Sequence, residues 1–225
     1  MLRAAPTPMP PRPPAASPRS PSWARAVRHL SAADPVLARV IASVGRCTLV
    51  PRREGTHFDH VARAIVYQQL SGKAAGTIHG RVLAHFGGRA PTAAELLATP
   101  DEPLRAAGLS RQKLGYLRDL AARTEAGAIP FDTIETLDDE AIIAALSSVK
   151  GIGRWTAQMF LMFRLGRADV LPELDLGVQN GIQKAYGLRK RPTPAQVVRR
   201  GAAWAPYRTV ASWYMWRVVD GAATL

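Results

Sequence analysis

The residues most able to do chemistry lie close together in the second half of the sequence. Val149-Lys150-Gly151-Ile152-Gly153-Arg154-Trp155-Thr156-Ala157 sets two glycines around one isoleucine, directly before an apolar helical pattern. At the mouth of a helix the first backbone N–H groups have no intrahelical acceptor, so they can turn outward to an anion. Glycine lets a bulky group such as a phosphate come close, because no Cβ stands in the way. Farther on, Leu171-Pro172-Glu173-Leu174-Asp175-Leu176-Gly177 places two carboxylates ahead of another helical pattern. Read from residue types alone, Gly-Ile-Gly is equally a plain turn between helices, and Asp175 is equally an N-cap before Leu176.

The elements around these residues are helical. Leu137 to Leu146 carries Ile142, Ile143 and Leu146 at helical spacing, and Trp155, Met159, Leu161, Met162 and Leu165 continue it beyond the glycines. The local reading is therefore helix, hairpin, helix. Upstream, Asp34-Pro35 is a helix entry, followed by an apolar face of Val36, Leu37, Val40, Ile41 and Val44. A second helix follows Thr56-His57-Phe58 and ends in Tyr67-Gln68-Gln69-Leu70-Ser71-Gly72, where Ser71 can cap the next helix, Lys73 to about Phe86. Pro91, Pro100 and Pro103 break the following stretch into short helices. Leu104 to Lys113 reads as helix, glycine turn, helix, a loose echo of the later hairpin with which it could pair; Arg111 and Lys113 there could touch backbone phosphates or form a solvated basic face. Beyond Asp175 come a helix from Leu176 to Tyr186, a basic loop Arg189-Lys190-Arg191-Pro192, a helix from Pro194, and a last helix opened by Trp204-Ala205-Pro206-Tyr207-Arg208-Thr209. That last helix is apolar on two sides, so it is expected to be buried on both. No stretch alternates as a strand does, and the expected fold class is all-α.

Bulk properties narrow the function. The 225 residues, 47% of them hydrophobic, suit a globular protein with one full core or two small ones. No apolar run approaches the roughly 18 residues of a membrane span, and the early prolines interrupt any signal-peptide core, so a cytoplasmic location is expected. The net charge of +13 favours polyanions, nucleic acid first among them, over an evenly spread coding bias toward arginine. The single cysteine, Cys47, excludes an intrachain disulfide and a four-cysteine iron–sulfur cluster. Residues 1 to 22 are rich in proline and arginine and contain no acid, which predicts a disordered tail. A DNA-tethering arm, a targeting segment and a start codon set too far upstream are all compatible with it.

Gly153, Pro172 and Asp175, with agreeing flanks from about Asp34 to Asp220, resemble the helix-hairpin-helix DNA glycosylases, and within them the 3-methyladenine DNA glycosylase II family. The resemblance implies an all-α domain over residues 34–220 with two helical lobes, a DNA-facing cleft between them, and no room for the β-rich N-terminal domain of longer relatives. The N-terminal segment would pack with the C-terminal helices. It also implies roles. Lys150, Gly151, Gly153 and Thr156 would bind phosphate, and a monovalent cation at the backbone of Val149 and Gly151 would bridge to it without being catalytic. Gln69, with Gln68 beside it, would fill the stack vacated by a flipped nucleotide, against the alternative that both merely end a helix. Trp155, Met159 and Trp216 would line the base pocket; Met159 stands where another aromatic is often found and suits ordinary core packing equally well.

Asp175 would stabilise the positive charge that develops on the sugar as an N-glycosidic bond breaks, and orient the attacking water. Glu173 is the weaker alternative, since the family often has two adjacent acids where this sequence reads Glu173-Leu174-Asp175. Relatives that also cleave the strand carry a lysine where Trp155 stands, so water is the expected nucleophile and no lyase activity is expected. The implied protein is a monomeric, monofunctional glycosylase that excises alkylated purines of the 3-methyladenine and 7-methylguanine type from nucleoid DNA, with no cofactor. Arg208 is expected to make a structural ion pair. Two other readings remain open, a non-catalytic protein that binds DNA structure through the same hairpin and a glycosylase for neutral deaminated bases.

Overall fold

The computed structural model describes residues 23–223. The expected tail, residues 1 to 22, lies outside the described residues. Folded structure begins ahead of Asp34, the entry expected from the sequence, with α1 (Ala24–Ala33). This helix is arginine-rich and acid-free, like the segment before it, which hides it in the composition. Ala26 and Leu30, one turn apart, are nevertheless fully buried, and the Trp23 indole N–H donates to the Leu49 carbonyl at 2.8 Å.

Local signals set most other boundaries. Asp34 accepts from the amides of Val36 and Leu37 and opens α2 (Pro35–Val44), with proline in the first position, where its missing N–H is not needed. A reciprocal pair, Thr56 with Asp59, opens α3 (His57–Tyr67), and Ser71 caps α4 (Gly72–His85). Then come α5 (Ala93–Ala98), α6 (Asp101–Ala106) and α7 (Arg111–Glu125). Pro103, expected to break a helix, instead sits in the first turn of α6, where no backbone donor is required. The chain continues through α8 (Asp139–Ser147), α9 (Arg154–Phe160), α10 (Leu176–Ala185), α11 (Pro194–Gly201) and α12 (Arg208–Val219). The regular spacing expected through Leu165 stops at Phe160; Leu161–Leu165 forms a wider π turn, closed by Gly166 at φ 72°. From that turn Arg164 reaches back to His57 and to the carbonyls of Arg52, Glu54 and Gly55. No strand occurs among the described residues.

The buried side chains form two clusters. One draws on α3 to α9, from Phe58 to Val170. The other combines α1 and α2 with α10, α11 and α12. Phe163 and Trp216 pack against both, stacked with ring centroids 5.7 Å apart, so they form the seam between the two cores. In α12 every residue from Thr209 to Met215 is buried, which accounts for its lack of a polar face. The second core is tied across the sequence by Asp34, whose carboxylate accepts from the Tyr186 hydroxyl and, at 2.9 Å, from the buried Trp204 indole N–H. Burial alone would raise the pKa of Asp34, but the hydrogen bonds from Tyr186, Trp204 and the two capping amides outweigh it and hold it below the usual carboxylate value.

Asp34→Ala removes a helix cap and leaves the buried Trp204 indole and the half-buried Tyr186 hydroxyl without their acceptor, so urea denaturation should show a loss of about 2–4 kcal/mol. A depressed folded-state pKa means that this stabilisation is complete above the unfolded value of about 3.9 and is lost as pH falls through the folded value. Asp34→Asn should therefore flatten the acid limb of the stability profile below about pH 4.

Candidate active site

The hairpin between α8 and α9 is held from beneath. Val149 and Ile152 are buried, Lys150, Gly151 and Gly153 are exposed, and the Ile152 amide donates to the Val149 carbonyl. The Lys150 amide donates to Asp119 on α7 at 2.8 Å, and Arg123 holds the same carboxylate oxygen at 2.9 Å. Gly151 adopts φ +80°, and a Cβ there would lie 2.2 Å from the Tyr116 ring, so both backbone and packing require glycine. At Gly153 a Cβ would meet no atom within 4 Å, and the φ of −104° suits any residue. The protein itself does not need glycine at 153, and no side chain caps the helix that begins after it. Space and uncapped amides therefore face outward together at the start of α9.

Gln68 and Gln69 end α3 beside this hairpin. The Gln68 side chain donates to the Gly151 carbonyl at 2.9 Å, bracing the hairpin. Gln69 is exposed at φ +55°, the one positive φ outside glycine among the described residues. Lys113 donates to the carbonyls of Val66 and Gln68, each at 2.7 Å, which holds this corner in place. Lys113 thus serves the protein's own backbone rather than a phosphate, and burial lowers its pKa. Arg111, its expected companion, is exposed. The corner and the hairpin frame a cleft of about 580 Å³ whose walls include Tyr67, Gln69, Tyr116, Trp155, Thr156 and Met159. The sequence offered no local signal for Tyr67 or Tyr116, which reach the cleft from α3 and α7. Behind Met159 and Thr156 a smaller void of about 30 Å³ is bordered by His60. Burial, reinforced by the nearby Arg164, pushes the His60 pKa down to about 4, so its ring is neutral at physiological pH.

Asp175 is buried behind Trp155. Its carboxylate caps α10 through the Val178 amide at 2.8 Å, accepts from the Trp216 indole N–H at 2.8 Å on the same oxygen, and from the Trp155 indole N–H at 2.6 Å on the other. Cap and tryptophan partner are thus one residue. A Cβ on residue 177 would sit 2.7 Å from the Trp216 ring, so glycine there admits the indole. Trp155 is 45% exposed and forms a wall of the cleft, whereas Trp216 lies behind it on the seam. Glu173 is engaged elsewhere, by Arg154 at 3.2 Å and Gln158 at 2.9 Å. Arg208 pairs with Asp169 through two hydrogen bonds at 2.7 and 2.8 Å. Gln68, Gln69, Gly151, Trp155, Thr156 and Met159 therefore share one cleft, with Asp175 and Trp216 joined to it through the Trp155 indole. Such an arrangement offers an aromatic and thioether wall for a planar cation, a fixed carboxylate behind it, and outward amides for an anion.

Residues 62–206 match the family described as HhH-GPD superfamily base excision DNA repair protein. The chain is similar to DNA-3-methyladenine glycosylase 1 of Schizosaccharomyces pombe, 37% identical over 201 residues that cover 87% of this chain and 87% of the relative. Among solved structures it is similar to the S. pombe 3-methyladenine DNA glycosylase in complex with abasic DNA, with a TM-score of 0.77 and 35% identity over 89% of this chain and 100% of that one. It is likewise similar to the DNA-3-methyladenine glycosidase of Bacillus halodurans, with a TM-score of 0.81 and 38% identity over 88% of this chain and 91% of that one.

The two hairpin glycines should separate under substitution. Gly151→Ala, strained in backbone and forced into Tyr116, should lower stability by about 1–3 kcal/mol in chemical denaturation. Gly153→Ala should stay within roughly 0.5 kcal/mol of the unaltered protein. Equal losses at both positions would show that the protein itself needs the space at Gly153.

Proposed function

Because the chain belongs to the HhH-GPD superfamily of base excision DNA repair proteins, we propose that it is a monofunctional DNA glycosylase that flips alkylated purines from duplex DNA and hydrolyses their N-glycosidic bond. The observation that carries this reading is the buried Asp175 carboxylate, held by two indole N–H groups behind a cleft rimmed by the hairpin and the Gln68–Gln69 corner. The outward amides after Gly153 and the charge of Lys150 grip the phosphate backbone. Gln69, exposed at the cleft's edge, enters the stack as the damaged nucleotide leaves, while Gln68 braces the hairpin.

A purine alkylated at N3 or N7 is cationic, so it stacks favourably against Trp155 with Met159 beside it, at roughly 0.5–2 kcal/mol for a good aromatic contact. The C1′–N bond then breaks with its electron pair going to the base, which becomes neutral and needs no general acid. Positive charge develops on the sugar, and the Asp175 carboxylate stabilises it. Water adds to C1′ and releases one proton to the solvent, leaving an abasic site. The indole N–H groups keep the carboxylate from rotating, so stabilisation requires little reorganisation. Trp155 offers no amine to attack the sugar, which leaves the strand intact.

A monovalent cation at the hairpin would share the Val149 and Gly151 carbonyls, which also accept from the Ile152 amide and Gln68. A carbonyl oxygen has a second lone pair for that purpose. Such an ion would add positive charge at the hairpin for a phosphate and would take no part in bond cleavage. The glycosylase works as a monomer on cytoplasmic, nucleoid-borne DNA, without a catalytic cofactor.

Base release from methylated duplex DNA tests the reading. Asp175→Asn should lower single-turnover release by at least about 10²-fold while binding to an abasic-site duplex persists. Gln69→Ala should weaken abasic-site binding more than undamaged-duplex binding. Tight duplex binding without release of any methylpurine by the unaltered protein would sink the enzyme and favour a binding module.

A further inference from the structure

The segment Leu176–Val219, from the start of α10 to the end of α12, contains no aspartate or glutamate and eight lysines and arginines. Four of the eight are engaged inside the protein. Arg208 pairs with Asp169, Arg217 with Asp220, Lys184 donates to the Val218 carbonyl, and Arg200 lies 3.9 Å over the Tyr186 ring. The other four, Arg189, Lys190, Arg191 and Arg199, are exposed, and their side chains take part in no ion pair or hydrogen bond among the described residues. All four line one open cavity of about 1000 Å³, joined there by Thr193 and Gln196 at the start of α11, and no carboxylate borders it. Cations gathered without a counter-charge repel one another, so this surface is favourable only opposite an anion.

The cavity's distance from Asp175 lies within the reach of a single DNA duplex. Asp175 opens α10, and the basic loop follows its far end; ten residues of α-helix separate them by about 15 Å. The exposed side of α10 passes through Leu176, Asn180 and Lys184, without an acid between the carboxylate and the loop. At 3.4 Å per base pair, that distance equals the length of roughly four base pairs, so one duplex is long enough to reach both.

We infer that the cavity formed by Arg189, Lys190, Arg191 and Arg199 is a second DNA-backbone site, holding phosphates of the undamaged duplex about four base pairs from the excised base. The inference rests on the glycosylase reading for the DNA engaged at the hairpin. This contact is sequence-independent and separate from the base pocket. It gives the protein two points of attachment, one on each side of the seam between the cores, and so a fixed direction along the strand.

The test measures affinity for a duplex with a central abasic site across a range of salt concentrations, using the full chain and the exposed triple variant Arg189→Ala, Lys190→Ala, Arg191→Ala, with Arg199→Ala as an independent second variant. Each lost phosphate contact should flatten the log–log salt dependence by about 0.9, so the triple variant should show a slope reduced by about 2 to 3 units and binding at least roughly tenfold weaker at moderate salt. Truncating the duplex to about two base pairs on one side of the abasic site, each side in turn, should abolish the difference on one side alone. Base release at saturating protein should be unchanged in both variants. Equal slopes and affinities for unaltered and variant protein, while base release persists, would overturn the second site alone. So would a loss seen for heparin but not for duplex. Failure of the unaltered protein to bind the abasic duplex would instead overturn the glycosylase reading, and this inference with it.

Discussion

The carboxylate of Asp175 is the point at which the two halves of this protein meet. It closes the first turn of α10, accepts one indole N–H from α9 and another from α12, and so joins the hairpin to the C-terminal core. A buried charge is costly without hydrogen-bond partners, and here three donors surround one group. The surrounding packing serves this arrangement. Gly177 makes room for the Trp216 ring, and Phe163 stacks on that ring from the other core. The polar contact and the apolar seam are therefore one structure, and a change that shifts either core shifts the carboxylate.

The hairpin shows the same economy on the opposite wall of the cleft. Its inner face is constrained by Tyr116 against Gly151, by Asp119 on the Lys150 amide and by Gln68 on the Gly151 carbonyl. On its outer face, a Cβ at Gly153 would meet no atom of the described residues within 4 Å. Two helices distant in sequence, α3 and α7, fix the loop from within, so the outward amides are held in position before any partner arrives. Such preorganisation is what allows a neutral backbone to bind an anion without first paying to order itself.

Charge is distributed to match. The carboxylates near the hairpin are engaged by arginines, as in Arg154 with Glu140 and Glu173, or Arg208 with Asp169. Four exposed cations, Arg189, Lys190, Arg191 and Arg199, line one cavity at the loop after α10 that no carboxylate borders. Part of the net charge of +13 is therefore gathered at one surface by the fold.

Helical class, most helix starts and the hairpin were legible in the sequence because their causes are local. Asp34 before Pro35, Thr56 with Asp59, and Ser71 all act within a few residues, and helical periodicity marks the faces that become buried. Asp175 was legible as a helix cap for the same reason, and the family resemblance is what proposes it as the reacting carboxylate. The α1 helix was not legible, because an acid-free arginine-rich segment resembles a tail until its few apolar residues find a core. Nor was the use of Lys113, whose ammonium satisfies carbonyls more than forty residues away. The partners of Asp175 lie 20 and 41 residues from it, and indole N–H donors leave no periodic trace. Local hydrogen bonds and periodicity are written in neighbouring residues; which distant donors converge on one carboxylate is decided only when the two cores close on each other.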